Sequence, residues 1–172
     1  MTARQMGYDT AGIPHPPPPQ LWPGCHANLD SGRSAIMALA RVAVIDATTI
    51  DHLRRFGLNE AGISREEADA LFALDCAGNA KAPAWDDLFI ETITRHCVWD
   101  LRPTGVVNEA QGEWLLQAAD RTQTPNAFAV LVSVLEEAHR VPQWFVAAVK
   151  ARAARGWPGV EAPGAAKPAL NA

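Results

Sequence analysis

Three helix starts are spelled out along this chain, and a sequence punctuated in this way has few folds open to it. Ser64-Arg65-Glu66-Glu67 is a capping box: the Ser hydroxyl accepts from a free backbone N–H, and Glu67 reaches back to the Ser N–H. Asn108-Glu109-Ala110-Gln111 repeats the signature. Thr124-Pro125 joins an N-cap to a proline at the first helical position, where the missing N–H costs nothing. Behind each start the apolar residues return at helical spacing. Ala68, Leu71 and Phe72 follow the first, Trp114, Leu115 and Ala118 the second, and Phe128, Leu131, Val132 and Leu135 the third. The same spacing predicts a helix over 34–47, with Ile36, Ala40, Ala43 and Ala47 on one stripe widened by Leu39 and Val44. A short helix over 49–56 can follow. A long one over 85–99 carries Phe89, Ile93 and Cys97, and a last one over 144–155 follows the break at Val141-Pro142. No segment alternates with period two. An all-α bundle of six or seven helices is expected.

The ends of the chain read differently from its middle. His15-Pro16-Pro17-Pro18-Pro19 favours polyproline II and cannot join a helix. Residues 1–33 are therefore expected to form a Pro-rich arm, tacked to the body by Trp22 and Pro23. A helical domain is expected over 34–156. Gly156-Trp157-Pro158-Gly159 ends the last helix, and 157–172 is expected to be a flexible tail. A chain of 172 residues can bury a core without staples. A formal charge of −4 leaves no basic footprint for nucleic acid. The longest apolar stretch, 35–47, is broken by Arg41 and Asp46 and is too short to span a bilayer. No secretory signal is read at the start, and three widely spaced cysteines fit reduced thiols. A cytoplasmic location is expected.

The segment from Asp100 to Gln111 has the frame of a calcium-binding helix–loop–helix without its ligands. Asp100 opens it, Gly105 stands at the sixth position for the sharp turn, and Val107 at the eighth can anchor the loop. Oxygen side chains are needed at positions three and five, and a bidentate Glu at twelve. Those places hold Arg102, Thr104 and Gln111, and an Arg there repels the cation. A weaker echo lies around Glu60-Ala61-Gly62-Ile63, where Glu67 is better explained by the capping box.

Taken together, these residues resemble the TerB-like helical proteins, a bacterial group named for tellurite resistance, and most of all an uncharacterised alphaproteobacterial branch of it. The resemblance rests on Ile63-Ser64-Arg65-Glu66-Glu67-Ala68-Asp69-Ala70-Leu71-Phe72, on Ala84-Trp85-Asp86-Asp87-Leu88-Phe89, on Gly105-Val106-Val107-Asn108-Glu109 with Trp114-Leu115, and on Leu131-Val132-Ser133-Val134-Leu135-Glu136. It covers roughly residues 35–152. It implies a bundle of degenerate EF-hand-like helical pairs and, in better-known members, acidic residues holding a divalent cation. The alternative function it implies here is a calcium or magnesium site tied to tellurite or metal stress. The best remaining ligands are Asp75, Asn79, Asp86 and Asp87, with Asp100 and Asn108 further on. Asp75, Asn79 and Asp86 fall at positions one, five and twelve of a loop, but Ala77 and Ala80 replace a ligand and the turn Gly, and Lys81 opposes a cation.

Other candidate chemistry has a plainer explanation in each case. Asp87, Glu91 and Arg95 stand at four-residue steps and can pair along a solvated face. Glu136 and His139 form a single E-x-x-H step where a di-iron site needs two, with two further Glu. His96 and Cys97 are adjacent and diverge on a helix, so a zinc site shared with Cys25 and His26 is poorly served, and Cys97 reads as core. No nucleophile–base order or phosphate-binding glycine loop is present. Six Trp against one Tyr is an unusual balance. Trp85, Trp99, Trp114 and Trp144 lie near helix ends, where an indole N–H can find a carbonyl. The expectation is a non-enzymatic module without cofactor, which binds another protein or itself. Trp22, Trp99, Trp144 and Trp157 are the candidate contacts.

Overall fold

All three written helix starts are made, with the geometry the capping residues call for. The computed structural model describes residues 34–58 and 62–160. Helix α3 (Arg65–Cys76) opens with Glu67 N donating to Ser64 Oγ at 3.2 Å and Ser64 N donating to Glu67 Oε2 at 2.7 Å. Helix α5 (Glu109–Thr122) opens with the same exchange between Asn108 and Gln111, at 2.9 and 2.7 Å. Helix α6 (Pro125–Glu137) begins where Ala127 N donates to Thr124 Oγ1. Helix α4 spans Ala84–Arg95 and runs on through a wider π-helical turn, His96–Asp100. Helix α7 covers Gln143–Arg155.

The segment expected as one helix over 34–47 divides instead. Among the described residues, helix α1 covers 34–39 and the chain leaves it at Ala40. Strand β1 (Val44–Ile45) then pairs in parallel with β2 (Ala80–Lys81). Asp46 is spent as the N-cap of helix α2 (Ala47–His52), accepting from Thr49 N at 2.8 Å. Val42, Val44 and Ile45 are β-branched and weak helix formers. Pairing with the loop after α3 takes Ile45 fully inside and leaves Val44 59% exposed. Helix α2 continues as a π-helical turn over Leu53–Gly57.

Seven helices and one two-residue pair of strands thus make up the described residues, an all-α architecture. Helix α4 is its axis: it packs on α2 and α3 and most extensively on α6, while α3 lies on α5, α5 on α6, and α6 on α7. Trp85, Leu88, Phe89 and Ile93 are the buried side of α4, in line with the four-residue spacing. Phe72 stands edge-on to Phe89 at 5.1 Å and to Trp114 at 6.1 Å, joining the α3, α4 and α5 layers of one core. The loop after the π-helical turn of α4 is held to the connection between α6 and α7. His139 N and Arg140 N donate to Gly105 O, and Val107 N donates to Arg140 O at 2.9 Å. Gly105 adopts φ +75°, a left-handed turn favoured by Gly, and Val107 is buried. No helix among the described residues is long and apolar enough to cross a membrane.

The packed chain runs past 156. Trp157 is only 7% exposed, lies 5.4 Å from the ring of Phe128, and donates to Thr124 O at 2.7 Å. The body therefore extends at least to Val160, whose N–H closes a turn on Trp157 O. The Pro-rich arm and the last twelve residues, 161–172, lie outside the described residues.

Candidate functional site

The indole N–H groups set the pattern of the polar contacts between elements. Carbonyl acceptors are expected for Trp85, Trp99, Trp114 and Trp144, yet the described indole that donates to a carbonyl is that of Trp157. The other four described tryptophans each donate to a carboxylate on another element. Trp85 reaches Asp75 at 2.8 Å, Trp99 reaches Glu137 at 2.8 Å, Trp114 reaches Asp69 at 3.0 Å, and Trp144 reaches Glu109. An ionised acceptor roughly doubles the strength of such a bond. The tethers tie α3 to α4, the π-helical turn to α6, α3 to α5, and α5 to α7. Of these four acceptors, Asp75 is the one that sequence alone offers as a ligand, and here it serves as a fastener.

Asp75 is the most heavily committed of them. It is buried at the end of α3, accepts from Trp85 Nε1 and from Asn126 Nδ2 at 2.9 Å on one oxygen, and from the Thr124 hydroxyl on the other. Asn126 also donates to Asp86 at 2.8 Å. Asn79 turns its amide to Leu39 O at 3.3 Å, and Asp87 stands apart in the groove between α4 and α6. Lys81 Nζ donates to the carbonyls of Ala77 and Asn79, at 2.9 and 3.3 Å, so an ammonium already occupies the loop's backbone oxygens. Of the four candidate ligands, Asp75 and Asp86 are thus joined through the Asn126 amide, Asn79 is turned to Leu39 O and Asp87 lies apart. Among the described residues no three His, Cys, Asp or Glu come together in a way that could hold a metal. The donor set does not fit a divalent cation. In the later loop, Gln111 is used up in its capping box, and Asp100 accepts from Arg95 Nε at 3.2 Å.

The charged face of α4 is also rearranged. Glu91 pairs at 3.5 Å with Arg54, not with its neighbour four residues on, and Arg95 turns to Asp100. Glu136 and His139 are exposed at the end of α6 and after it. Cys97 is buried in the core, where desolvation pushes its thiol up to about 12.

His96, beside Cys97, is 4% exposed and stands edge-on to Trp114 at 6.0 Å. Burial lowers its pKa below the ordinary value, against the opposing pull of Asp100, of the Ile63 backbone and of Glu67, with Arg65 adding to the depression. The unfolded chain therefore takes up this proton more readily than the folded one. Stability is full above the ordinary His pKa near 6.5 and declines as pH falls from there toward the lower folded value. Urea unfolding at pH 7.5 and 5.5 is expected to show a larger acid-induced loss in the wild type than in His96→Phe. Equal losses in the two proteins would remove His96 from the account.

Of the four tryptophans expected to make contacts, Trp22 lies outside the described residues. Trp157, expected as a contact, is packed on Phe128 and largely buried, so little of its surface is open. Trp144 is half-buried, edge-on to Phe145 and tied to Glu109. Trp99 keeps 42% of its surface in solvent, the most exposed of the described tryptophans. The wide turn buries His96, Cys97 and Val98 in succession and turns Trp99 outward. There it overhangs a groove of about 490 Å³ between α4 and α6, with Ile90 in its wall and Asp87, Glu91 and Glu137 around it. Compared with protein-family models, curated proteins and solved structures, the chain matches none.

Proposed function

We propose that the chain is a non-enzymatic, cytoplasmic interaction module that binds a protein, another or a copy of itself, through the face centred on Trp99. One observation carries this reading: a large aromatic held in one orientation by Glu137 and His139 is left 42% open above an acid-edged groove. A preset tryptophan surrounded by polar groups is the usual anatomy of an interface anchor. The TerB-like resemblance and an EF-hand-like pairing of helices belong to the same reading. Their support is the 100–111 frame, with Gly105 in a left-handed turn, Val107 buried, and a backbone bridge from Val106 to Arg140.

The test is affinity capture and oligomer analysis with wild type and Trp99→Ala side by side. Truncating an anchor of this kind costs about 2 kcal/mol, roughly thirtyfold in affinity. Loss of that size with an unchanged helical spectrum is expected. A wild type with neither a reproducible partner nor self-association would overturn the proposal, as would binding indifferent to Trp99.

A further inference from the structure

The groove beside Trp99 has a neighbour of opposite charge. On one side, Asp87, Glu91 and Arg95 lead along α4 to Trp99, and Glu137 closes the groove from α6. Three carboxylates and one guanidinium line this groove, and the guanidinium is turned to Asp100. Glu91 is paired at 3.5 Å with the exposed Arg54 outside the groove, which leaves Asp87 and Glu137 without a cation among the described residues. On the other side, a groove of about 610 Å³ runs from His139 and Arg140 along α7 to Lys150, with Val141 and Val146 supplying apolar wall. Arg140 and Lys150 are exposed, and among the described residues their side chains form no ion pair. The two grooves meet where the Trp99 and His139 rings pack edge-on at 5.9 Å. An acid-lined groove and a base-lined groove are thus joined through this aromatic pair.

Such a surface is complementary to itself. A two-fold axis through the Trp99–His139 contact would lay the acidic arm of one copy on the basic arm of the other, twice, as an isologous interface requires. An unrelated basic peptide could satisfy only the acidic half and would leave Arg140 and Lys150 unanswered. Resting on the interaction reading above, we propose that the partner at this face is a second copy of the chain. Trp99 lies at the centre of the dimer, with Asp87 and Glu91 facing Arg140 and Lys150 of the other copy. The charge of −4 makes encounters between copies mildly repulsive overall. The local pairing therefore decides the association, which weakens with salt.

Sedimentation equilibrium of the full chain tests this, in about 50 mM and about 500 mM salt, across a Debye length falling from well above to well below ~10 Å. A dimer is expected at low salt that dissociates as salt rises. Two charge-reversed proteins, Asp87→Lys with Glu91→Lys and Arg140→Glu with Lys150→Glu, are each expected to associate at least about tenfold more weakly, since like charges then meet at both contacts. Mixed in equal amounts they should form a heterodimer, because each reversed arm then meets its opposite. Recovery on mixing also shows that both variants are folded. Failure of the mixture to recover, or a wild-type dimer indifferent to salt, overturns the proposal. A monomeric wild type that still captures a protein through Trp99, or that binds a lysine decapeptide in the groove, overturns self-pairing while leaving the interaction reading in place. A monomer with no partner at all removes both.

Discussion

Asp75→Ala is expected to lower the unfolding free energy by roughly 3–5 kcal/mol, with a fall in Tm of about 10 °C for a chain of this size. The carboxylate sits where three helix ends converge: the end of α3, the start of α4 through Trp85, and the start of α6 through Thr124 and Asn126. Removing it strands an indole N–H, an amide N–H and a hydroxyl, and each buried donor left without an acceptor costs about 1–3 kcal/mol. The loss is held below their sum because Asn126 retains Asp86 and the Thr124 hydroxyl can rotate. Thr124 is also the cap of α6 and the acceptor for Trp157, so disorder at this corner spreads to the end of the chain. Asp75→Asn keeps an acceptor for Trp85 and Asn126 and can donate to the Thr124 hydroxyl. It is expected to cost only about 1 kcal/mol, the difference between charged and neutral acceptors. Equilibrium urea unfolding of the two variants checks the ordering. Equal losses would mean that packing, and not hydrogen bonding, sets the role of Asp75.

Which features the sequence disclosed follows from how far apart the interacting residues lie. Ser64 with Glu67, Asn108 with Gln111, and Thr124 with Ala127 are three residues apart, so both partners fall within one reading window and the helix starts are legible. The buried sides of α4 and α5 are equally legible, because a 3.6-residue period is a local property. The division of 34–47 is less so. Asp46 followed by Thr49 was a local cap signal, but the alanine stripe masked it, and the decisive pairing is with Ala80 and Lys81, over thirty residues away. The tryptophan tethers are less legible still. Trp99 and Glu137 are 38 residues apart and Trp114 and Asp69 are 45, so composition offers acids without saying which will meet an indole. Hence Asp75 and Asp86 read as ligands in sequence and serve as fasteners in the fold. Exposure is the hardest property to foresee. Trp99 and Trp157 look alike as residues near helix ends, yet a wide turn sends one outward while Phe128 covers the other.

The second large effect is expected at Gly112, where α5 passes beneath the start of α7. A Cβ there would lie 3.2 Å from the Trp144 ring and 3.3 Å from the Phe145 ring. Neither neighbour yields easily: Phe145 is fully buried, and Trp144 is held by Glu109. Two opposing terms decide the outcome of a substitution. Alanine in a helix interior is favoured over glycine by about 1 kcal/mol. A single carbon at these distances asks the rings to move by a few tenths of an ångström, so Gly112→Ala is expected to be close to neutral. Leucine brings the same gain in propensity but three further carbons with no space to enter. Overpacking of this kind costs about 1–3 kcal/mol and occasionally more, and Gly112→Leu is expected at the upper end, near 3 kcal/mol. The strain should be released by lifting the first turn of α7, which frees the Trp144 indole from Glu109. Urea unfolding measures the loss, and tryptophan fluorescence of the folded protein reports the lifted turn. A Gly112→Leu protein as stable as wild type would show that α7 does not bear on α5 at this point.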